Sequence, residues 1–158
     1  MNNVVLLDAG PLGMYANPKS RKPKNKLCKQ RVEALLAGGA YVKVPEIADY
    51  EVRRKLIHLT LRDPKCKAIL RLDAVIKALG LVPFTADTLK RAAKLWAEAR
   101  HRNHVTAPPE AIDGDVILAT QAIIETEKGD NVEIATTNST DLAGLFPKLL
   151  NWDDLKQP

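Results

Sequence analysis

Short β-branched runs alternate with longer stretches of helical period along this chain, and that alternation restricts the fold to α/β with a parallel sheet. The first run, Val4 to Leu7, is wholly apolar, as expected of a strand covered on both faces. A helix is expected from Leu27 to Leu36, stopped by Gly38 and Gly39, then a second strand over Tyr41 to Val44. Ile47 to Leu61 and Pro64 to Leu79 read as helices, and Leu81 to Phe84 as a short strand. Thr85 or Asp87 can cap the next helix, whose Leu89, Ala92, Ala93, Trp96 and Ala99 form one apolar stripe. Ile112 to Glu127 is the most apolar helical stretch, Val132 to Ala135 a strand, and Leu149 to Trp152 a last short one. Two basic stretches, Asn17 to Lys26 and Arg100 to Glu110, read as loops. At 158 residues the chain suits one domain, 1–158, and with aromatics at only 4% its core must be aliphatic.

The acids fall where this alternation places strand ends. Asp8 closes the first strand in "VVLLDAG", and Glu51 lies just inside the helix after the second in "YVKVPEIADYEV". Asp115 opens the apolar helix of "DGDVILATQA", and Asp141 follows the last clear strand in "VEIATTNSTDL". In a parallel sheet the carboxyl ends of all strands share one edge, so the four side chains are expected to converge there. Carboxylates so gathered repel by roughly 4 kcal/mol per pair at ~4 Å and an effective dielectric near 20. A divalent cation removes that penalty, and hard oxygen ligands favour Mg²⁺ or Mn²⁺.

Each acid also has an ordinary structural explanation. Asp8 is placed to cap a helix, although a buried strand ending on a carboxylate is costly unless that group is paired or metal-bound. Glu51 sits beside Arg53 and Arg54 on what reads as a solvated helix face. Capping explains one of Asp113 and Asp115 well, and both less easily. The "TTNSTD" stretch, with Thr137, Asn138 and Asp141, suits an Asx or capping turn. The combination carries the site: four acids from four segments, each at the same relative place in an α/β unit.

These motifs, in this order, resemble the PIN-domain ribonucleases, especially the VapC-type toxins of bacterial toxin–antitoxin pairs. The matches are "LLDAGPL", "IADYEV", "DGDVILATQA" and "TTNSTDL", and they span nearly the whole chain. The resemblance implies a Rossmann-like, three-layer α/β/α domain with a central, mainly parallel sheet. It implies Asp8, Asp115 and Asp141 as metal ligands, Glu51 as a ligand or water-positioning group, and Asp113 and Asn138 as supporting members. The implied activity is Mg²⁺- or Mn²⁺-dependent hydrolysis of RNA phosphodiesters. The implied partners are RNA, an antitoxin protein and a second copy of the chain. One departure stands out: where the family usually has Ser or Thr two residues after the first acid, this chain has Gly10.

A formal charge of +5 suits an acidic partner such as RNA. Lys43, Arg53, Arg54, Lys55, Arg100 and Arg102 are candidates for phosphate contacts, with His101 and His104 adding positive potential. Tyr15, Tyr41 and Tyr50 are too scattered to suggest a stacking platform. Cys28 and Cys66 fall in stretches read as helices, without CxxC spacing, and fit reduced thiols in the cytoplasm. "MNNVVLLDAG" lacks the basic region of a signal peptide, and no run approaches the ~20 apolar residues of a membrane span.

Other enzyme classes lack their defining atoms. "DAGPLG" supplies only two of the glycines of a dinucleotide fingerprint, no P-loop lysine motif is present, and a second Asp two residues after Asp8 is missing. The remaining alternatives are a PIN-like RNA- or protein-binding module without turnover, and a nuclease that cuts DNA.

Overall fold

The structure, a computed structural model, describes residues 1–17, 21–109 and 113–156. Five parallel strands form one sheet in the order β3-β2-β1-β4-β5. In chain order the elements are β1 (Asn3–Leu7), α1 (Ala9–Tyr15), α2 (Pro23–Ala37), β2 (Tyr41–Pro45), α3 (Glu46–Arg62), α4 (Ala68–Leu79) and β3 (Leu81–Val82). Then follow α5 (Ala86–His101), α6 (Gly114–Glu127), β4 (Asn131–Thr136), α7 (Ser139–Ala143), β5 (Leu149–Asn151) and a 3-10 turn at Asp153–Leu155.

β1 is central because it can be buried on both sides. Val4 and Leu6 point into one core with Ala92 and Ala99 of α5, Val116 to Ala119 of α6, and Leu142 of α7. Val5 and Leu7 point into the other, with Leu12 of α1, Cys28 and Val32 of α2, and Leu72 of α4. α3 spans the two, sending Ile47 to the first and Ala48 and Val52 to the second. The result is three layers, helices on both faces of the sheet. Leu6 pairs with Lys43 on β2 and with Ile134 on β4. The chain leaves β1 toward β3, then returns to lay β4 on the other side of β1. That reversal makes the β1/β4 seam the topological switch point, where open α/β sheets form their binding crevice.

Several boundaries differ from the sequence-based expectation, each for a local reason. The basic stretch after Asn17 is not a loop up to Lys26: α2 starts at Pro23, because proline fits the first helical position. Residues 18–20 of that stretch lie outside the described residues. α4 begins at Ala68 rather than near Pro64, because the Asp63 carboxylate accepts from Lys65 N at 3.1 Å and holds a turn. Cys66 therefore lies in a turn, not a helix. β3 ends at Val82: Pro83 has no N–H, and Phe84 N donates to Glu46 Oε2 at 2.7 Å instead of to a strand. α5 is capped by Thr85, not Asp87, through a reciprocal box with Thr88. It continues to His101, so the basic loop expected from Arg100 starts later. The expected start of α6 at Ile112, like Glu110, lies outside the described residues; the helix is seen from Gly114. Two short helices were given no bounds from the sequence, α1 after Asp8, for which a helix cap was one reading, and α7 after Asn138.

Leu6 is fully buried at the centre of this sheet. Leu6→Ala is expected to cost about 2–5 kcal/mol of stability, read as a lowered urea midpoint at unchanged slope.

Candidate active site at the carboxyl edge of the sheet

The last ladder bond of the β1/β4 seam, Asp8 N to Ala135 O at 3.0 Å, fixes the backbone of Asp8. Its side chain then caps α1. Asp8 Oδ1 accepts from Ala9 N at 2.7 Å, and Oδ2 accepts from the Thr136 hydroxyl at 2.7 Å. The same Thr136 oxygen accepts from Asn138 N at 2.9 Å, and Asn138 Nδ2 donates to Asp141 Oδ2 at 2.8 Å. A chain of hydrogen bonds thus links the end of β1 to α7 across the seam. His104 extends it, its Nε2 lying 2.7 Å from the Asp141 carbonyl oxygen. The imidazole sits against Gly144, where a Cβ would lie 2.5 Å from the ring. Expected as a source of positive potential, His104 instead braces α7, while His101 is exposed.

Asp113 and Asp115 divide the two roles that their spacing suggested. Asp113 is the N-cap of α6: it accepts from Val116 N at 3.3 Å and from the Thr106 hydroxyl, and it is buried. Asp115, two residues on, has no hydrogen-bond partner among the described residues. Glu51 comes in from α3 against Gly114, where a Cβ would lie 2.5 Å from Oε1. It too has no hydrogen-bond partner among the described residues. The edge therefore holds two anchored carboxylates, Asp8 and Asp141, and two unpartnered ones, Glu51 and Asp115.

Their electrostatics put Glu51 and Asp115 within reach of the other acids' charges. Burial raises the Asp8 carboxyl above its ordinary value, against the pull of the Thr136 and Ala9 hydrogen bonds. Glu51 is raised first by burial and then by the charge of Asp8, with Arg54 and Lys55 opposing and Asp113 adding. Asp115 is pushed up to about 7, by burial first and then by the charges of Asp8, Asp113, Asp141 and Glu51. Opposite charge within reach would lower these values. The donor set is therefore all oxygen and under mutual repulsion, which suits a hard divalent cation. As the side chains are placed, however, no three His, Cys, Asp or Glu groups among the described residues converge on one point.

No protein-family model matches the chain, and no curated protein does. Solved structures do match. The crystal structure of VapBC2 from Rickettsia felis, bound to a DNA fragment from their promoter, superposes with a TM-score of 0.68 at 19% identity. That match covers 95% of this chain and 99% of the other. DNA-bound VapBC from Salmonella typhimurium gives a TM-score of 0.61 at 16% identity, over 96% of this chain and 99% of that one. The chain has the fold of a VapC-type PIN domain. The five-stranded parallel sheet between helical layers is the PIN architecture, and the acidic edge lies at its switch point.

On this PIN fold the basic residues are engaged to different degrees. Arg53 is held by two carboxylates, Asp49 at 2.9 Å and Asp73 at 2.7 Å. Arg100 lies 4.5 Å above the Trp96 ring and donates to the Ala107 carbonyl, bracing the segment that follows α5. Arg54 stacks over Tyr50 at 5.3 Å and is exposed beside Glu51, and Arg102 is exposed near Gly144. No helix among the described residues is long and apolar enough to cross a membrane. An open apolar groove of about 500 Å³ runs between α5 and α6, lined by Leu89, Ala92, Trp96 and Val116 and bordered by Asp113.

Thr136, Thr106 and Gly114 border the candidate site and were missed by sequence reasoning, which gave His104 a different role. The hydroxyl at the strand end in "ATTN" was a usable signal for Thr136. The partners of Thr106 and His104 lie in other elements, and nothing local marks them.

Because the folded-state value for Asp115 is about 7, above its ordinary 3.8, the native protein binds more protons than the unfolded chain between those values. Stability therefore falls as pH rises through that window. Asp115→Asn is expected to melt at a higher temperature than wild type at about pH 8 in chelator, with the difference closing near about pH 4, by thermal unfolding at both pH values.

Proposed function

We propose that this protein is a metal-dependent endoribonuclease, the toxin of a toxin–antitoxin pair. The observation that carries the reading is the charge concentration at the switch point. The charges of Asp8, Asp113, Asp141 and Glu51 help to push Asp115 up to about 7, and those of Asp8 and Asp113 help to raise Glu51, while no cation among the described residues pairs with Asp115. Asp8, Asp115 and Asp141 would hold Mg²⁺ or Mn²⁺, with Glu51 as a further ligand or the group that orients water. Such an ion would supply an activated water and offset charge on the phosphodiester oxygens.

The chain's own residues do the positioning. Asn138 keeps Asp141 turned toward the seam, Asp113 fixes the first turn of α6 and hence the origin of Asp115, and Thr136 holds Asp8. Arg54 and Arg102, exposed at the rim, would bind backbone phosphates without reading bases, and such contacts weaken with salt. Arg53 and Arg100 would act indirectly, since their guanidinium groups are already engaged. An antitoxin is proposed as partner because both neighbours were solved as VapBC complexes. The apolar groove between α5 and α6 offers such a partner surface to cover beside Asp113.

A second reading, a PIN-like binding module without turnover, is favoured by one fact: the acids as placed do not converge three at a time. A mixed single-stranded RNA pool incubated with Mg²⁺ or Mn²⁺ separates the two. Wild type is expected to cut in a chelator-sensitive way, and Asp8→Asn and Asp115→Asn each to lose at least about 100-fold of that activity. Cutting that survives both substitutions would sink the nuclease reading at this site. A matched DNA strand run in parallel distinguishes the DNA-cutting variant.

A further inference from the structure

Gly10 and Thr137 meet across the β1/β4 seam, in the first turn of α1 and just past the end of β4. A Cβ built on Gly10 would lie 2.5 Å from Thr137 Oγ1, and 3.6 Å from both the Cβ and the methyl of Thr137. No real side-chain carbon approaches an oxygen so closely, so position 10 has no room for a side chain while Thr137 keeps this rotamer. Thr137 is half-buried, and among the described residues its hydroxyl has no hydrogen-bond partner. Its neighbours do: Thr136 holds Asp8, and Asn138 holds Asp141. The Thr137 oxygen therefore lies over the first turn of α1 without a hydrogen-bond partner among the described residues, flanked in sequence by the residues that hold Asp8 and Asp141.

A neutral hydroxyl is suited to that place. It donates one hydrogen bond and accepts two, so it can bridge a carboxylate or phosphate oxygen and a water molecule without adding to the charge. Mg²⁺ gives up its waters reluctantly, and groups that hold the outer waters orient the whole site. We propose that Thr137 is the hydroxyl positioning residue of the acidic site, ordering water around the bound cation, and that Gly10 is glycine because this hydroxyl occupies the space above it. The hydroxyl that position 10 lacks is delivered from the neighbouring strand end. This role rests on the metal-dependent reading given above.

The test is Mn²⁺ binding to the full chain by titration calorimetry, paired with thermal melts in chelator. Thr137→Val keeps the branched shape and removes the hydroxyl, and it is expected to weaken Mn²⁺ binding about 10-fold. Thr137→Ser restores the hydroxyl and is expected to bind as wild type does. Gly10→Ser is expected to lower the melting temperature by collision with Thr137. The double variant Gly10→Ser/Thr137→Ala is expected to recover both the melting temperature and Mn²⁺ affinity, the hydroxyl now coming from residue 10. If the valine variant does not fold, Thr137→Ala provides the same comparison. Wild-type Mn²⁺ affinity in the folded hydroxyl-free variant overturns the role of Thr137 and leaves the metal reading standing. A wild-type protein that binds no Mn²⁺ overturns both.

Discussion

The parallel pairing of β1 with β4 is the constraint on which the rest of the acidic edge depends. It carries the hydrogen-bond ladder as far as Asp8 itself, through Asp8 N and the Ala135 carbonyl. It also puts Thr136 beside the Asp8 carboxylate, although the two lie far apart in sequence. Asp8 is thereby held by a strand bond, a helix cap and a hydroxyl, and a carboxylate so held has one orientation. The same seam is the place where the strand order reverses, the position at which open α/β sheets form their binding crevice.

Against that fixed point the remaining acids accumulate at a cost. Asp115 has no partner among the described residues, and four other carboxylates raise its proton affinity. Nothing in packing requires this: α6 is already capped by Asp113, and its apolar residues already fill one core. A fold optimised for stability alone would not collect unpaired carboxylates at one edge. Repulsion of this kind, gathered at the carboxyl edge of the sheet, is a physical reason to treat that edge as a candidate site.

Much of this was legible in the sequence because it depends on periodicity and on strand ends. The wholly apolar Val4 to Leu7 announced a central strand, and the acids at Asp8, Glu51, Asp115 and Asp141 announced which edge they share. Boundaries were less legible where one residue decided them through a distant partner. β3 stops at Val82 partly because Glu46, at the start of α3, captures Phe84 N. α2 starts early because Pro23 serves as a helix opener rather than a loop residue. His104 looked like a surface charge and is a brace for α7, which only the fold could reveal. The arginines show the same limit: charge is visible in sequence, but the carboxylates that already hold Arg53 are not.

In the stretch that follows α5, residues 102–109, two side chains reach the acidic edge. His104 rests on the carbonyl of Asp141, and Thr106 donates to Asp113. This stretch is thus a strap whose two anchors are parts of the candidate site it borders. Shortening or rebuilding it would loosen Asp141 and the start of α6 together, without altering any acidic residue. Among natural variants of this architecture, its length and its two polar anchors should change in concert with the geometry of the acids rather than drift as a surface loop does.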